Sequence, residues 1–276
     1  MRRPGLGRVA LVLFGSMLVL ALLGPLLAGR AESTGATLQA ELATADAPRL
    51  LAWWSLATRN VAGMVIISTG IAAILGTPLG ALSAYGGGAA GGWLFRFVEL
   101  VGAVPGLILV GVLRFGDTSG GVLSLLTTLA LLRTLEVAQL VRSQVLATLP
   151  SDFVEASRAL GASRRWQIRV HVLPRVARPL AVNLLLGAST LIGLEAALSF
   201  TGLGMPDGVP SWGRGLAVLA TGSHGAALVC VIASIGVTSA LLYGLGARLA
   251  ENVNTPLLPP TAPLSPLELG AERQGS

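Results

Sequence analysis

The chain of 276 residues contains no lysine, one cysteine and two histidines, and only 12% of its positions are charged. Each shortage excludes something. A nucleotide-binding glycine loop needs a lysine and a Ser/Thr after a strand. The glycine-rich run from Tyr85 to Gly92 has neither, so it reads as a turn, and any ATP hydrolysis belongs to another chain. A lone cysteine, Cys230, makes no disulfide within the chain and no metal cluster. It reads as a small buried apolar residue. His171 and His224 are far apart and read as ordinary polar residues, so no metal site is expected. A soluble domain carries about 25% charged residues. The shortfall here points to a polytopic membrane protein.

What is present agrees. Hydrophobic residues make up 53% of the chain and the mean hydropathy is +0.75. Six apolar stretches approach the roughly 20 residues that a helix needs to cross the hydrocarbon of a bilayer. They are residues 9–28, 61–85, 97–113, 121–141, 181–203 and 226–245. None alternates polar with apolar residues as a barrel strand does. The expected fold is therefore all-α with about six transmembrane helices. Three segments follow: residues 1–60 with the first span and a short outer segment, a transmembrane domain over 61–250, and a proline-rich, disordered tail over 251–276. Arg2, Arg3 and Arg8 precede the first apolar run as in a signal peptide. That run is longer than a signal core, so an uncleaved span is expected.

The net charge is +6, and every basic residue is arginine. With the N-terminus inside, thirteen arginines fall on the inner side, five on the outer side and Arg133 within a span. This satisfies the positive-inside rule, so the charge reads as topology and not as nucleic-acid binding. Both termini are then cytoplasmic. The pair Trp53 and Trp54 suits a membrane interface.

The longest inner loop, residues 142–180, carries the most information. Pro150 and Ser151 stop the preceding helix. Asp152 and Glu155 have capping-box spacing, so a helix starts there. Gly161 suits a left-handed C-terminal cap. Ser163 caps a second short helix, which Pro174 and Pro179 are expected to end before the fifth span. Phe153, Val154, Leu160 and Trp166 are costly to leave in water. The loop therefore reads as a docking element for a partner protein.

The run Glu155-Ala156-Ser157-Arg158-Ala159-Leu160-Gly161, followed by Leu173-Pro174, resembles the EAA loop of ABC-importer permeases. Ser157 stands where that family has alanine. The runs Glu195 to Gly204 and Pro210-Ser211-Trp212-Gly213 resemble the second permease subunit of dipeptide, oligopeptide and nickel importers. So do Gly76 to Gly88 and Pro105 to Leu109. Members of that branch usually carry a Gly-Thr-Asp…Gly-Arg-Asp segment before the second span, and this chain lacks it.

The resemblance implies a type I ABC-importer permease fold and an inner-membrane, non-enzymatic transport subunit that moves peptide, nickel or another small solute. It implies a homologous second permease, two cytoplasmic ATPases that use ATP and magnesium, and an outer solute-binding protein. Membrane lipid surrounds the subunit, and no cofactor is bound by this chain. Glu155, Ala156 and Gly161 are the positions carried over for ATPase contact, with Pro174 closing the motif. Arg158 and Arg164 join them on local charge alone.

Charged groups within spans are costly unless paired or wetted, and Glu99, just inside the third span, reads as interfacial. Glu195 reads either as a cavity-facing gate group or as a structural hydrogen bond. Arg133 and Glu136 share a helix face and read as a structural pair or as pathway lining. Two further readings compete. An ion-coupled secondary transporter could use Glu195 but leaves the amphipathic loop unexplained. An intramembrane protease is suggested by Gly116-Asp117-Thr118-Ser119-Gly120-Gly121, which matches no catalytic spacing.

Overall fold

The computed structural model describes residues 47–85, 89–115, 121–149, 152–206, 208–221 and 225–254. Among them every regular element is helical. The first apolar run, the C-terminal tail beyond residue 254, His224 and most of the Gly116–Gly121 string lie outside the described residues; residues 251–254, expected to begin the disordered tail, continue the last helix.

Helix α1 is Ala47–Tyr85. Pro48 sits in its first turn, where a missing N–H costs nothing. Pro78 lies inside α1 without ending it. The boundary expected at residue 60 falls within this continuous helix. Helix α2 is Ala89–Gly102 and α3 is Gly106–Phe115. The third apolar stretch is thus two helices and not one. Pro105 has no N–H to continue α2, and its carbonyl starts α3 by accepting from Ile108 and Leu109 at 2.9 and 3.1 Å.

Helix α4 is Val122–Thr148, about two turns longer at its inner end than the apolar pattern indicated. After it come α5 (Asp152–Ala159) and α6 (Arg164–Gln167). A π turn at Ile168–Val172 then feeds α7 (Leu173–Phe200) without interruption. Pro174 and Pro179 therefore do not end the helix before the fifth span. The wider turn, in which the Leu173 N–H reaches back to Ile168 O, lets Pro174 enter the first turn of α7. Helix α8 is Trp212–Ala220 and α9 is Gly225–Asn254.

Among the described residues four helices are long and apolar enough to cross a membrane: Leu50–Ala84, Val122–Thr148, Val170–Phe200 and Gly225–Glu251. Helix α1 lies along α4, α9 lies along α7, and α8 wedges against both α7 and α9. The α1–α4 approach depends on two glycines one turn apart. A Cβ at Gly76 would sit 2.8 Å from the Thr134 carbonyl oxygen, and one at Gly80 would overlap the Ala138 carbonyl. Small residues at this spacing let membrane helices meet backbone to backbone.

Two cores result. One gathers Val61, Met64, Leu125, Leu129, Leu191 and Trp212 towards the α7–α8 end. The other gathers Ala72, Val137, Val141, Val145, Val172 and Val176 towards the α5–α6 end. Apolar side chains also cover the outside, such as Ile66, Ile74 and Val229. Cys230 lies on that outer surface and is exposed, contrary to the sequence expectation. In a bilayer a small apolar group faces hydrocarbon at no penalty, so hydrophobicity alone does not put it inside.

Candidate functional site

The loop between α4 and α7 folds as two short helices hinged at one glycine. Gly161 has φ +81°, the left-handed conformation that a Cβ disfavours. Around it α5 closes with a Schellman turn: the Leu160 N–H donates to Ala156 O at 3.1 Å, and the Ala162 N–H donates to Ser157 O at 3.0 Å. Ser163 then opens α6. Its carbonyl accepts from the Gln167 N–H at 3.0 Å, and its hydroxyl lies 3.4 Å from the Trp166 N–H.

One face of this unit turns inward. Val154, Ser157, Gln167 and Val172 are buried. Ser157 fits at a site with little room for an unpaired hydroxyl because its Oγ donates to Val154 O at 2.8 Å. Gln167 spans the hinge, donating from its amide to Ala162 O at 3.1 Å. The other face stays open. Leu160 is 88% exposed and Trp166 47% exposed, and Ala156, Ala159 and Gly161 are exposed with them. The Trp166 ring meets His171 edge-on at 5.2 Å, which fixes its direction across the π turn. Pro174, at the start of α7, is exposed as well. Glu155 and Arg158 lie on α5, and Arg164 begins α6. The structure thus brings six of the nine expected site residues onto one helix–hinge–helix unit and the start of the helix after it.

The other three lie within the bundle, in two separate places. Arg133 is buried on α4 and pairs with the half-exposed Glu136 one turn on. Its guanidinium also donates to the carbonyl and side-chain oxygens of Asn183 on α7, both at 3.1 Å. It lies in the space that a Cβ at Gly187 would fill. Arg133 therefore pins α4 to α7.

Glu195 is fully buried and accepts from the Ser199 hydroxyl at 2.6 Å. Ser199 Oγ in turn accepts from the Met205 N–H at 2.9 Å. The two runs Glu195–Gly204 and Pro210–Gly213 pack as one knot. A Cβ at Gly204 would overlap Ser199, and one at Gly213 would come within 2.6 Å of Ser199 Cβ. Ser211 caps α8 by accepting from the Arg214 N–H at 3.2 Å.

Sequence reasoning passed over Arg114 as one more outer arginine. It is buried at the end of α3 and donates to Leu203 O at 3.0 Å, Gly204 O at 3.1 Å and Ser124 Oγ at 2.8 Å. Its signal was position: an arginine closing an apolar helix beside a proline break. The two tryptophans placed at the interface lie near the start of the candidate span Leu50–Ala84 and are half-buried. Trp54 donates to Ser234 at 2.8 Å, and Trp53 lies over Gly215 of α8.

The described helices thus combine four that are long and apolar enough to cross a membrane with a helix–hinge–helix loop that leaves Leu160 and Trp166 exposed. Residues 76–253 match the family described as "Binding-protein-dependent transport system inner membrane component", and the chain belongs to that family.

Its relatives include the oligopeptide transport system permease protein OppC of Bacillus subtilis, 30% identical over 55% of this chain and 52% of that protein. The dipeptide transport system permease protein DppC of Lactococcus lactis is 30% identical over 70% of this chain and 59% of that protein. A putative peptide permease protein of Brucella ovis is 36% identical over 54% and 48%. The chain spans about half the length of the curated relatives it matches. In fold it is similar to the MetNI methionine ABC transporter solved in inward-facing conformations, with TM-score 0.57 and 22% identity over 71% of this chain and 94% of that one.

Proposed function

We propose that the chain is one permease subunit of an ATP-driven, binding-protein-dependent importer of di- or oligopeptides. The observation that carries this reading is the exposed apolar face on either side of Gly161. Leu160 and Trp166 are set outward by a hinge that only glycine adopts without strain, while Val154, Ser157 and Gln167 hold the inner face closed. Such a face is costly in water and is accounted for by a partner that covers it.

That partner is a cytoplasmic ATPase, one of two, and Glu155, Ala156, Arg158, Gly161, Arg164 and Pro174 form or frame the contact. The loop lies on the cytoplasmic side, as do both termini. A homologous second permease completes the pathway, and an outer solute-binding protein delivers cargo. Peptide is the favoured cargo because OppC, DppC and DdpC among its relatives carry that description. ATP and magnesium are used by the ATPases, and this chain performs no catalysis.

The test is co-purification of the detergent-solubilised full chain with its candidate ATPases, comparing wild type with Gly161→Asp. ATPases that accompany wild type and are lost with a folded variant support the reading. A stable protein that recruits no ATPase in either form ends it, and ion-coupled uptake would then be measured.

A further inference from the structure

Helices α2 and α3 together occupy residues 89–115, and the break between them falls near the middle of that stretch. Both helices pack on α4. The Gln139 amide donates to Val98 O at 3.0 Å and lies in the space that a Cβ at Gly102 would fill. A Cβ at Gly106 would lie 3.1 Å from Leu132. The break is therefore laid along α4 between Gln139 and Leu132. Glu136 lies between the same two residues, and all three fall within about 60° of one another around the helix axis. Glu136 is also one position from the middle of the candidate span Val122–Thr148.

Polar groups are thus exposed at a depth where lipid tails cannot solvate them. Pro105 has no N–H, and among the described residues no donor is bonded to the carbonyls of Gly102, Ala103 or Val104. Those three residues and Pro105 are exposed. Non-helical backbone at membrane depth is tolerated only where protein buries it or where it lines a water-filled cavity. The Glu136 side chain is 47% exposed on the same face, with Arg133 as its ion-pair partner. A carboxylate in hydrocarbon is costly unless paired or wetted. Two separate groups, one backbone and one side chain, therefore both require something other than lipid here.

The sign of this surface restricts what it can take. Arg133 is buried, with its guanidinium turned to Asn183 and into the Gly187 slot. What reaches the surface is a carboxylate and three carbonyl oxygens, at the negative end of the α2 dipole. Glu99, one turn before the break, is exposed as well and extends the negative surface. Such a surface suits a cation. Arg133 close behind it favours a single charge over a divalent ion. No group of three or more His, Cys, Asp or Glu that could hold a metal occurs among the described residues. An ammonium group offers three N–H donors, which match carbonyl and carboxylate oxygens. Every unblocked peptide carries one at its N-terminus, whatever its side chains.

From these observations we infer that Glu136 and the α2–α3 break form a subsite on a water-filled transport path, and that it takes the N-terminal ammonium of the peptide cargo. This rests on the importer reading and deepens it. The subsite accepts peptides as a class without reading their sequence, because the group it holds is common to all of them. Arg133 acts from behind as a positioning residue that sets the direction of the carboxylate.

The test is the charge selectivity of a thiol placed in the break. It is read in vesicles on the full chain assembled with its second permease and ATPases, without the solute-binding protein, so that delivery does not enter. Val104→Cys is made in a Cys230→Ala background, because the native thiol is exposed. Its rates with a trimethylammonium and a sulfonate methanethiosulfonate are each divided by the rate with free cysteine. The cationic reagent should be favoured at least fivefold. Glu136→Gln should abolish that preference, and Glu136→Asp should keep most of it. Trialanine should slow the reaction at least threefold, and N-acetyl-trialanine should not. A thiol that neither reagent reaches until the protein is denatured would give this face to lipid or to the second permease, and would overturn the site. So would a preference that survives Glu136→Gln, or protection that is absent or equal for the two peptides. Ala103→Cys repeats the measurement should Val104→Cys fold poorly. ATPase recovery is scored on the same preparation. Its absence sinks the importer reading, whereas loss of charge preference with ATPases present sinks this subsite alone.

Discussion

Gly161 and Gly202 end two helices with the same backbone device. Both have φ near +80°, and in both a Schellman bond closes the last turn: Ala162 N–H to Ser157 O after the first, Leu203 N–H to Leu198 O after the second. Their surroundings are opposite. The turn after Gly202 runs straight into a buried knot, where Arg114 takes two of its carbonyls and Ser199 takes the Met205 N–H. The turn after Gly161 runs into exposed apolar side chains, and α5 makes little contact with the bundle. The same local geometry thus serves fixation at one end of the molecule and availability at the other. The conformation of a glycine turn does not tell which; the fate of its neighbouring polar groups does.

The following substitutions probe that contrast, in falling order of effect. Gly204→Ala, in the fixed turn, forces a Cβ into Ser199 and should destabilise the fold by about 3 kcal/mol, seen as a large drop in the thermal midpoint of the solubilised protein. A midpoint within a degree of wild type would show that the knot is loose.

Arg133→Ala, which unpins α4 from α7, should cost about 2 kcal/mol. The cost falls below the roughly 3 kcal/mol at which breaking a fully buried pair begins, because Glu136 is half-exposed and rehydrates. Equal loss of midpoint in Glu136→Ala would contradict the assignment of Asn183 and the Gly187 slot as the main partners of Arg133.

Alanine at the two hinge glycines gives the sharpest comparison. Neither position has anything within 4 Å of a new Cβ, so each substitution costs about 1–2 kcal/mol through backbone strain alone. Gly202→Ala should lower the midpoint and leave partner recovery per folded molecule intact. Gly161→Ala should do the reverse, because the strain is relieved by reorienting α5 without disturbing the bundle. Matching behaviour in both assays would remove the distinction between the two ends.

Leu160→Ser has the smallest effect on stability, within about 0.5 kcal/mol, since the side chain is 88% exposed. It should still weaken ATPase recovery. Unchanged recovery would shift the contact to the α6 side, towards Trp166.

The long apolar runs were legible because spanning a bilayer demands continuous hydrophobicity, and α1, α4, α7 and α9 contain the four longest of those described. Their ends were not legible. Helix α1 begins fourteen residues before its apolar run, and α4 and α7 extend into the inner loop, because nothing in a polar helical turn distinguishes it from a loop until tertiary contacts hold it. The helix–hinge–helix unit was readable from Asp152, Gly161 and Ser163, which act through local backbone rules. The reading of Pro174 and Pro179 as terminators failed because a π turn re-registers the backbone ahead of the first of them. Arg114 and the Trp54–Ser234 bond were hidden for a different reason: their partners are 89 and 180 positions away in the chain, and no local rule brings such residues together.

The uninterrupted run from Arg164 to Phe200 has a mechanical consequence. Its two ends belong to different worlds, with Trp166 at the exposed loop and Ser199 inside the knot, yet one rod of about 55 Å joins them. Compliance along such a rod is concentrated where its hydrogen-bond ladder is disturbed, over the π turn and Pro174 to Pro179. Val172 and Val176 clamp that soft stretch within the valine core shared with α4. Torque applied at α6 is therefore divided at this fulcrum. Part bends the rod against α4, and the rest turns the far end, where Glu195 and Ser199 hold the re-entry into α8.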